Sequence, residues 1–370
     1  MHLLAFVNRV ESDIITPALD RRFGVSQVSL LCHRSELGLA TDIAGVCRSL
    51  HLPANVVTLA ADTQPLALRQ QLAVLAQGAV AFNISAASPV QAALAYDLAR
   101  ERQLPLMSIA PHSDRLIWLL GGEHTGLRTG ADIADGLTLA AYFALYGSRI
   151  EHIHYRLAQR PQRLEALAAG LAQLAAQRPA ALSLLNRLCT DLDARQYSRQ
   201  PLPRGERALR HWLASCGLVD IDQAGHVRCH DASVRFFLGG GWLEVWLLSQ
   251  VAALRPTLPI SDAAVGVKVV HDGVANEYDV AILCNNQLYL VECKTTAPTA
   301  LHQRGIGLDK LFKLDSAASL GGLHAHAMLA TLYPATDSEA ARAQAQGIAL
   351  LSGPALAQVQ PVLRQWLHTG

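Results

Sequence analysis

Residues 276 to 294 decide the fold of the last third of the chain and have the sequence Asn-Glu-Tyr-Asp-Val-Ala-Ile-Leu-Cys-Asn-Asn-Gln-Leu-Tyr-Leu-Val-Glu-Cys-Lys. Within them, Asn285-Asn286 can form a two-residue hairpin turn, because asparagine tolerates the positive φ that such turns need. With that turn, Asp279 lies opposite Glu292 on the neighbouring strand. The stretch therefore predicts an antiparallel hairpin whose charged residues meet across two strands.

The charges on this hairpin point to a metal-dependent chemistry. Directly opposed Cβ atoms lie roughly 4.5–5.5 Å apart, so Asp279 and Glu292 repel each other unless a cation lies between them. The same register places Glu277 opposite Lys294, and side chains two residues apart share a face. We therefore expect Asp279 and Glu292 to bind Mg²⁺ or Mn²⁺, and Lys294 to position a water or stabilise charge on a phosphoryl oxygen. The alternative is an edge hairpin with solvated charges.

Lysine is rare in this chain, which makes its position in the hairpin informative. Only four of the 31 basic residues are lysines, namely Lys268, Lys294, Lys310 and Lys313. Lys294 places a compact ammonium, rather than the planar fork of arginine, beside the two carboxylates. The use of lysine at this position, in a chain that otherwise uses mostly arginine, favours a role for Lys294 in the metal-dependent chemistry.

The composition indicates a cytoplasmic, globular protein with two or three domains. The 370 residues are 51% hydrophobic and 16% charged, as in folded domains. A net charge of +1 gives no global attraction to nucleic acid, so such binding must use local patches. The seven cysteines form no C-x-x-C pair and lie in apolar stretches, which predicts buried reduced thiols. No uninterrupted apolar run reaches the roughly 18 residues of a spanning helix, so we expect no membrane association.

Two local patterns carry weaker signals. A cluster of arginines predicts either a contact with phosphates or an arginine-rich linker, and its members are Arg195, Arg199, Arg204, Arg207 and Arg210. His152-x-His154 and His324-x-His326 would suit a metal if they lay on strands. Their surroundings predict helix or loop, so we do not expect these histidines to bind one.

Residues 1 to 150 alternate short apolar runs with helical patterns, which predicts an α/β domain with a parallel sheet wrapped by helices, the doubly wound Rossmann-like arrangement. The predicted strands lie near Leu3–Val7, Gln27–Cys32, Val56–Leu59, Ala79–Asn83, Leu106–Ala110 and Arg115–Leu120. The predicted helices lie near Asp13–Arg22, Leu39–His51, Pro65–Gln77, Val90–Gln103 and Asp132–Tyr146.

Two loops of this domain are candidate ligand sites, because open sheets of this type bind ligands beyond the carboxyl ends of their strands. The first loop follows strand one and carries Asn8 and Glu11. The second follows strand four and carries Asn83, Ser85 and Ser88, with Ser88 capping the next helix. Amides and hydroxyls at a helix N-terminus favour an anion, although an ordinary polar turn explains the pattern equally well. A dinucleotide is disfavoured because G-x-G-x-x-G is absent.

Residues 151 to 235 predict a helical connector. Helical periodicity extends from Gln162 to Gln177 and from Ala181 to Asp193. A further helix, Gly205–Cys216, is followed by a hairpin, which predicts a small winged-helix-like module. Such a module either binds DNA or joins domains.

Residues 236 to 370 predict a second α/β domain. A glycine turn at residues 239–241 opens an apolar helix that extends to about Leu254 and carries Glu244 in its first turn. The hairpin follows, and after it we expect a helix at Leu308–Ala318 and a strand at Ala327–Tyr333. A helix, strands bearing Asp and Glu-x-Lys, a helix and a strand form the order of a restriction-endonuclease-like core.

Several motifs of this region together resemble a known family. They are Gly-Gly-Trp-Leu-Glu at residues 240–244, Asn-Glu-x-Asp-Val at 276–280, Glu-Cys-Lys-Thr at 292–295, and Lys-Leu-x-Lys-Leu with the later Gly321-Gly322. The combination resembles the CRISPR ancillary nucleases, which fuse a CRISPR-associated Rossmann-fold (CARF) sensor to a PD-(D/E)xK nuclease domain. The resemblance is specific over roughly Phe237–Gly322 and topological elsewhere.

This resemblance implies a function and a set of residues. It implies a homodimer whose sensor domains bind cyclic tetra-adenylate and thereby activate metal-dependent cleavage of DNA or RNA. Carried over by position, Glu244, Asp279 and Glu292 would be the metal ligands, and Lys294 would be the catalytic lysine.

The loop after strand four departs from the family pattern. Family sensors commonly have Asn-x-Thr-Gly-Gly-Thr-Lys there, whereas this chain has Asn83-Ile84-Ser85-Ala86-Ala87-Ser88-Pro89. The glycines that let the backbone approach a phosphate are alanines, and the lysine is a proline. Binding of a different cyclic nucleotide, weak binding and loss of sensing all stay open, as do two other functions: an ungated repair or restriction nuclease, and a nucleotide-responsive DNA-binding regulator.

Overall fold

The computed structural model describes residues 1–9, 12–110, 113–122, 125–296 and 325–369. Its strands are β1 His2–Val7, β2 Gln27–Cys32, β3 Ala54–Thr58, β4 Val80–Asn83, β5 Leu106–Ala110, β6 Arg115–Leu120, β7 Ser148–Arg156, β8 Val219–Ile221, β9 Val227–Cys229, β10 Ile260–His271, β11 Val274–Cys284, β12 Gln287–Lys294, β13 Ala325–Thr331 and β14 Ile348–Ser352. Its α-helices are α1 Thr16–Leu19, α2 Leu37–Ser49, α3 Pro65–Leu75, α4 Pro89–Arg102, α5 Leu139–Leu145, α6 Gln162–Gln177, α7 Pro179–Thr190, α8 Arg207–Cys216, α9 Ala232–Phe236, α10 Trp242–Leu254, α11 Asp337–Ala345 and α12 Val359–Thr369.

The first sheet has the strand order β3-β2-β1-β4-β5-β6. Its strands pair in parallel except for β6, which runs antiparallel to β5. This is the order of a doubly wound sheet, and its crossover helices arise from the amphipathic runs between the strands. Leucines of α3 and α4 pack on one face, whereas α2 and α5 pack on the other. The predicted α/β character and the predicted strands are confirmed.

The second sheet is mixed and has the order β14-β13-β12-β11-β10-β7. Strands β7, β10, β11 and β12 form antiparallel pairs, and β12, β13 and β14 form parallel pairs. Helices α6, α7, α10 and α12 pack in the hydrophobic core on one face. The opposite face shares a core with α2 and α5 of the first sheet. The two sheets therefore enclose one continuous apolar layer.

Three predicted elements differ from the structure. Of the predicted helix Asp132–Tyr146, only Leu139–Leu145 is helical, because the Thr138 side chain caps the helix by accepting from the amide of Ala141. The predicted helix Asp13–Arg22 is reduced to the four-residue α1 between two 3-10 turns. His152 and His154 lie on strand β7, so the prediction of helix or loop there was wrong. The predicted helix Leu308–Ala318 lies outside the described residues.

The cysteines and one apolar helical run are buried inside the protein. All seven cysteines are free and buried, as predicted. By length and composition the helical run Ala232–Leu254 could cross a membrane, but 67% of its apolar window is buried inside the protein. That burial is typical of the core helix of a soluble protein.

The turn of the β11–β12 hairpin docks on the first half of the chain. The amide of Asn286 donates to Asp135 Oδ1 at 3.0 Å, and Asn286 Nδ2 donates to Asp114 Oδ2 at 2.7 Å. Burial raises the pKa of Asp114 to about 9, since the hydrogen bond from Asn286 only partly offsets desolvation. Within the described residues, Asp114 Oδ1 and Asn286 Oδ1 are buried without a partner. A proton on Asp114 therefore suits this contact.

We predict that Asp114→Asn raises thermal stability at pH 8 more than at pH 4. The usual pKa of an aspartate is 3.8, whereas folding raises that of Asp114 to about 9. Between these values the folded state keeps a proton that the unfolded chain releases, so stability falls as the pH rises. Asparagine cannot ionise, and the melting temperature at pH 8 should rise by about 2 °C or more. Calorimetry measures this, with the exposed Asp272→Asn as the control; a lower melting temperature for Asp114→Asn at pH 8 would contradict the prediction.

Candidate active site

The central hairpin forms with the predicted turn and register. Asn285 and Asn286 have φ values of 56° and 53°, as a tight type I′ hairpin turn requires. The ladder starts at the pair Cys284–Gln287 and continues to Val280–Val291. Beyond that pair the main-chain ladder of β11 and β12 is not continued.

Where this ladder ends, the side chain of Asp279 forms the next hydrogen bond to β12. Its Oδ2 atom accepts a hydrogen bond of 2.6 Å from the amide of Cys293. The carboxylate thus replaces a main-chain carbonyl as the partner of β12. This bond fixes the orientation of Asp279 relative to Glu292 and Lys294, which flank Cys293 on β12.

The alternation of faces along β11 changes at the same place. Val280 packs in the core beneath α10, whereas Tyr278 packs on the opposite face, stacked on Phe143 with centroids 5.8 Å apart. On β10 the matching residue is Gly266, whose φ of 61° is left-handed. The expectation of uninterrupted alternation is therefore wrong at Asp279. Glu277 pairs with Lys268 of β10, and its predicted pairing with Lys294 is not part of the described ladder.

Glu244 lies in the first turn of α10, buried to all but 8% of its surface. A π-type turn at Phe237–Gly241 precedes it and carries Gly240 at φ 137°. A Cβ on Gly240 would lie 2.8 Å from Thr295 Oγ1 and 3.0 Å from Asn186 Nδ2. The glycine thus permits a close approach between the start of α10, the end of β12 and α7.

Glu244, Asp279 and Lys294 line one cavity of about 510 Å³. Arg235 of α9, Asn186 and Thr190 of α7, and Cys293, Thr295 and Thr296 at the end of β12 complete most of its wall. Asn186 Nδ2 donates to Thr295 Oγ1 at 3.0 Å, and Ser183 Oγ donates to the Thr295 carbonyl at 3.0 Å. Helix α7 is thereby tied to the strand end that carries Lys294. No sequence motif points to Asn186 and Arg235, because their place in the cavity depends on the packing of α7 and α9.

The electrostatics of the cavity are dominated by negative charge. Burial raises the pKa of Glu244 well above its usual value, and repulsion from Asp279 and Glu277 raises it further. Burial and the charge of Glu292 raise the pKa of Asp279 to about 6, against the opposing effects of the Cys293 amide and Lys294. The carboxylates therefore crowd one another in a poorly solvated space.

Lys294 supplies the positive charge within this group. Its ammonium forms an ion pair with Glu292. Burial acts against the charged form of Lys294, but Glu292 and Asp279 together raise the pKa of its ammonium. One ammonium does not balance the carboxylates around it, and oxygen donors with excess negative charge fit a divalent cation. In the described ranges, no three His, Cys, Asp or Glu side chains already form a compact metal site.

In the loop after β4, one of the two predicted ligand loops, the polar side chains already form hydrogen bonds within the protein. Asn83 is 1% exposed; its Nδ2 donates to the Asp13 carbonyl at 2.7 Å, and its Oδ1 accepts from Ser85 Oγ at 2.7 Å. Ser88 forms the predicted capping box with Gln91.

The neighbouring loop after β1 joins the same network. Asn8 Nδ2 donates to Gln91 Oε1 at 2.6 Å and to the Ala86 carbonyl at 2.8 Å. The exposed Arg9 guanidinium donates to the Ser85 carbonyl at 3.3 Å. Arg9 was not among the residues predicted from the sequence. Glu11 lies outside the described residues.

Comparison with known proteins assigns this architecture. Residues 230–369 match the family described as Card1-like, endonuclease domain. The whole chain is similar to protein VC1899 from Vibrio cholerae, with 26% identity and a TM-score of 0.84 over 100% of this chain and 98% of that one. These matches support the resemblance to the CARF nucleases.

Two further solved structures share the fold of this chain. Can2 from Sulfobacillus thermosulfidooxidans, solved in complex with cyclic tetra-adenylate, has 20% identity and a TM-score of 0.77 over 99% of this chain and 97% of that one. A type III CRISPR defence DNA nuclease activated by cyclic oligoadenylate has 19% identity and a TM-score of 0.55 over 95% of this chain. The match spans 48% of that longer protein. No curated protein sequence shows significant similarity to this chain.

We predict that Gly240→Ala destabilises the protein more than Gly239→Ala. An alanine at residue 240 would hold a backbone conformation that L-residues avoid, which costs about 1–3 kcal/mol, and would push against Thr295 and Asn186. At residue 239, φ is not left-handed and the added Cβ would meet only a methyl of Thr190 at 3.2 Å. Thermal melting of the two variants measures the difference. Equal melting temperatures would show that the glycine turn does not need its observed conformation.

Proposed function

We propose that this protein is a metal-dependent PD-(D/E)xK endonuclease, activated by a cyclic oligoadenylate, that cleaves DNA, RNA or both in CRISPR-linked defence. The observation that carries the proposal is the common cavity of Glu244, Asp279 and Lys294, with Glu292 ion-paired to Lys294. All of these residues lie within the range that matches the Card1-like endonuclease domain. The alternative of an edge hairpin with solvated charges is disfavoured because β11 and β12 lie inside the second sheet, between β10 and β13.

Glu244, Asp279 and Glu292 are the residues that would hold a Mg²⁺ or Mn²⁺ ion. When bound, such an ion activates a water for attack and neutralises phosphate charge. The three carboxylates fit it because their mutual repulsion and burial disfavour the ionised forms of Glu244 and Asp279 unless a cation is near. The Cys293 amide holds the Asp279 carboxylate in one orientation, so that the chain positions this ligand in advance.

Lys294 and Arg235 supply positive charge from the protein. Lys294 lies near Asp279 and Glu292, and these carboxylates favour the charged form of its ammonium. It can therefore stabilise the charge that develops on a phosphoryl oxygen. Arg235 borders the same cavity from α9 and would contact a flanking phosphate. The global charge of the chain then matters little, because these groups act locally.

The sensor role is assigned to the first sheet. We place the activator, a cyclic oligoadenylate such as cyclic tetra-adenylate, at the loops after β1 and β4 of a homodimer. Ser85, Ser88 and Arg9 are the groups at these loops that would meet its phosphates, and Glu11 belongs to the same predicted site. Can2, which shares the fold along nearly its whole length, was solved with cyclic tetra-adenylate.

We predict that Lys294→Ala lowers Mn²⁺-dependent cleavage by at least about a hundredfold while leaving the fold intact. The loss of the ammonium removes the group that stabilises transition-state charge, an effect of about 10²–10³ in comparable sites. Cleavage of labelled single- and double-stranded DNA and RNA measures the rate.

The matched control for this variant is Lys268→Ala. Lys268 lies on the adjacent strand β10, where it pairs with the exposed Glu151 at 3.0 Å and does not line the cavity. We expect this control to cut at the rate of the unaltered protein. If Lys294→Ala also cuts at that rate, the role assigned to Lys294 is wrong.

We further predict that cyclic tetra-adenylate raises the cleavage rate about tenfold or more at a fixed Mn²⁺ concentration. Coupling between two sites typically changes an affinity or rate by this order. A titration of cyclic di-, tri-, tetra- and hexa-adenylate against one substrate measures it, with linear tetra-adenylate as the control. Stimulation by the linear control to the same extent would argue against a sensor for the cyclic compound.

An ungated repair or restriction nuclease is the second candidate. It is favoured by the hydrogen bonds that Asn83, Ser88 and Asn8 already form within the protein, with Asp13 and Gln91 as partners. The same titration separates the two, because an ungated enzyme cuts at one rate with and without any cyclic nucleotide. A DNA-binding regulator, built on α8 and the β8–β9 hairpin, would instead bind duplex DNA in Mn²⁺ without cutting it.

A further inference from the structure

Four residues form a continuous stack beside the cavity: Gly266, His154, Phe236 and Gly241. The rings of His154 and Phe236 lie parallel, with centroids 4.4 Å apart and an angle of 8° between their planes. A Cβ on Gly266 would overlap the His154 ring, and a Cβ on Gly241 would lie 2.5 Å from the Phe236 ring. Each ring therefore stacks on the partner ring and also lies against the backbone of a glycine.

One end of the stack lies in the same row of the sheet as Asp279. The register pairs Val265 with Tyr155 and Val267 with Ile153, so His154 lies across from Gly266. On the other side of β10, the register places Asp279 across from Gly266 as well. His154, Gly266 and Asp279 are thus neighbours across three adjacent strands.

The other end of the stack lies one turn before Glu244. Gly241 directly precedes α10, and Glu244 is in the first turn of that helix. Phe236, which presses on Gly241, itself lines the cavity. The stack therefore spans the distance between the strand row that carries Asp279 and the helix that carries Glu244.

We propose that His154 is a positioning residue, which through its stack on Phe236 sets the spacing between Asp279 and Glu244 for binding of a divalent metal. This inference rests on the proposed function. His154 touches neither carboxylate in this arrangement; it acts through the two glycine contacts and the Phe236 ring. Because metal ligands are sensitive to the groups that orient them, loss of such a support typically weakens metal affinity or activity by 10–100-fold.

The exposure of His154 separates this role from ordinary core packing. The side chain is exposed at the protein surface, so its removal leaves no buried cavity. His152, two residues earlier on the same strand, is also exposed and forms a T-shaped pair with the His154 ring, with centroids 4.7 Å apart, but it does not stack on Phe236. His152 is therefore a matched control for any effect of removing a surface histidine from β7.

The experiment measures Mn²⁺ binding by titration calorimetry and cleavage as a function of Mn²⁺ in four proteins: unaltered, His154→Ala, His154→Phe and His152→Ala. We expect His154→Ala to raise the Mn²⁺ dissociation constant, and the Mn²⁺ concentration for half-maximal cleavage, about tenfold. His154→Phe keeps a planar ring on Phe236 and should stay within about threefold of the unaltered protein. His152→Ala should not differ from the unaltered protein.

Each other outcome overturns a defined part of the proposal. Unchanged Mn²⁺ affinity in His154→Ala overturns the positioning role, and so does an equal loss in His154→Phe, because the ring would then act through its nitrogens. Should His154→Ala melt at a much lower temperature, His154→Leu decides by the same criteria, since it keeps apolar volume without a planar stack. Absence of Mn²⁺ binding and cleavage in the unaltered protein would instead overturn the proposed nuclease function itself.

Discussion

The hydrogen bond from the Cys293 amide to the Asp279 carboxylate is the interaction on which the site depends. It forms at the point where the main-chain ladder of β11 and β12 ends, so a side chain takes the place of a carbonyl. The strand ends can then separate without leaving the amide of β12 unsatisfied, and the space between them becomes the wall of the cavity. A carboxylate held in this way cannot turn toward solvent. Its charge stays beside Glu292 and Lys294. Such a cluster of buried charges adds little to the stability of the fold, which favours a role in binding or catalysis.

The sequence was sufficient to predict the hairpin because its information is local. Two adjacent asparagines specify the turn, and the turn fixes the register of every pair from Cys284 to Val280. The first sheet was predictable for a similar reason, since short apolar runs alternate with amphipathic segments. The change of faces at Asp279 was not predictable, because it depends on the left-handed Gly266, and that glycine makes room for the ring of His154 on another strand. The misassigned surroundings of His152 and His154 have the same origin, because β7 becomes a strand through pairing with β10, which lies far away in the sequence.

The two candidate sites differ in how their polar groups are satisfied. In the cavity, the carboxylates of Glu244 and Asp279 are crowded and poorly solvated, so a cation would relieve them. In the loop after β4, Asn83 is buried and its amide is fully engaged with Asp13 and Ser85. The sequence made both Asn83 and Glu244 candidate ligand-binding residues, since neither burial nor partners can be read from residue types alone. In the structure, Asn83 holds its loop together through hydrogen bonds, whereas Glu244 faces a cavity.

The position of β7 limits how this protein can be recombined with others. The strand follows α5 of the first sheet after two residues, yet it forms the edge of the second sheet. A chimaera joined ahead of Trp242 would separate β7 from β10 and uncover Tyr278, Leu283 and Leu288, which share their core with α2 and α5. The two parts of the chain that carry the first and the second sheet are therefore not exchangeable units. A successful graft would have to transfer the edge strand and the apolar layer beneath it together.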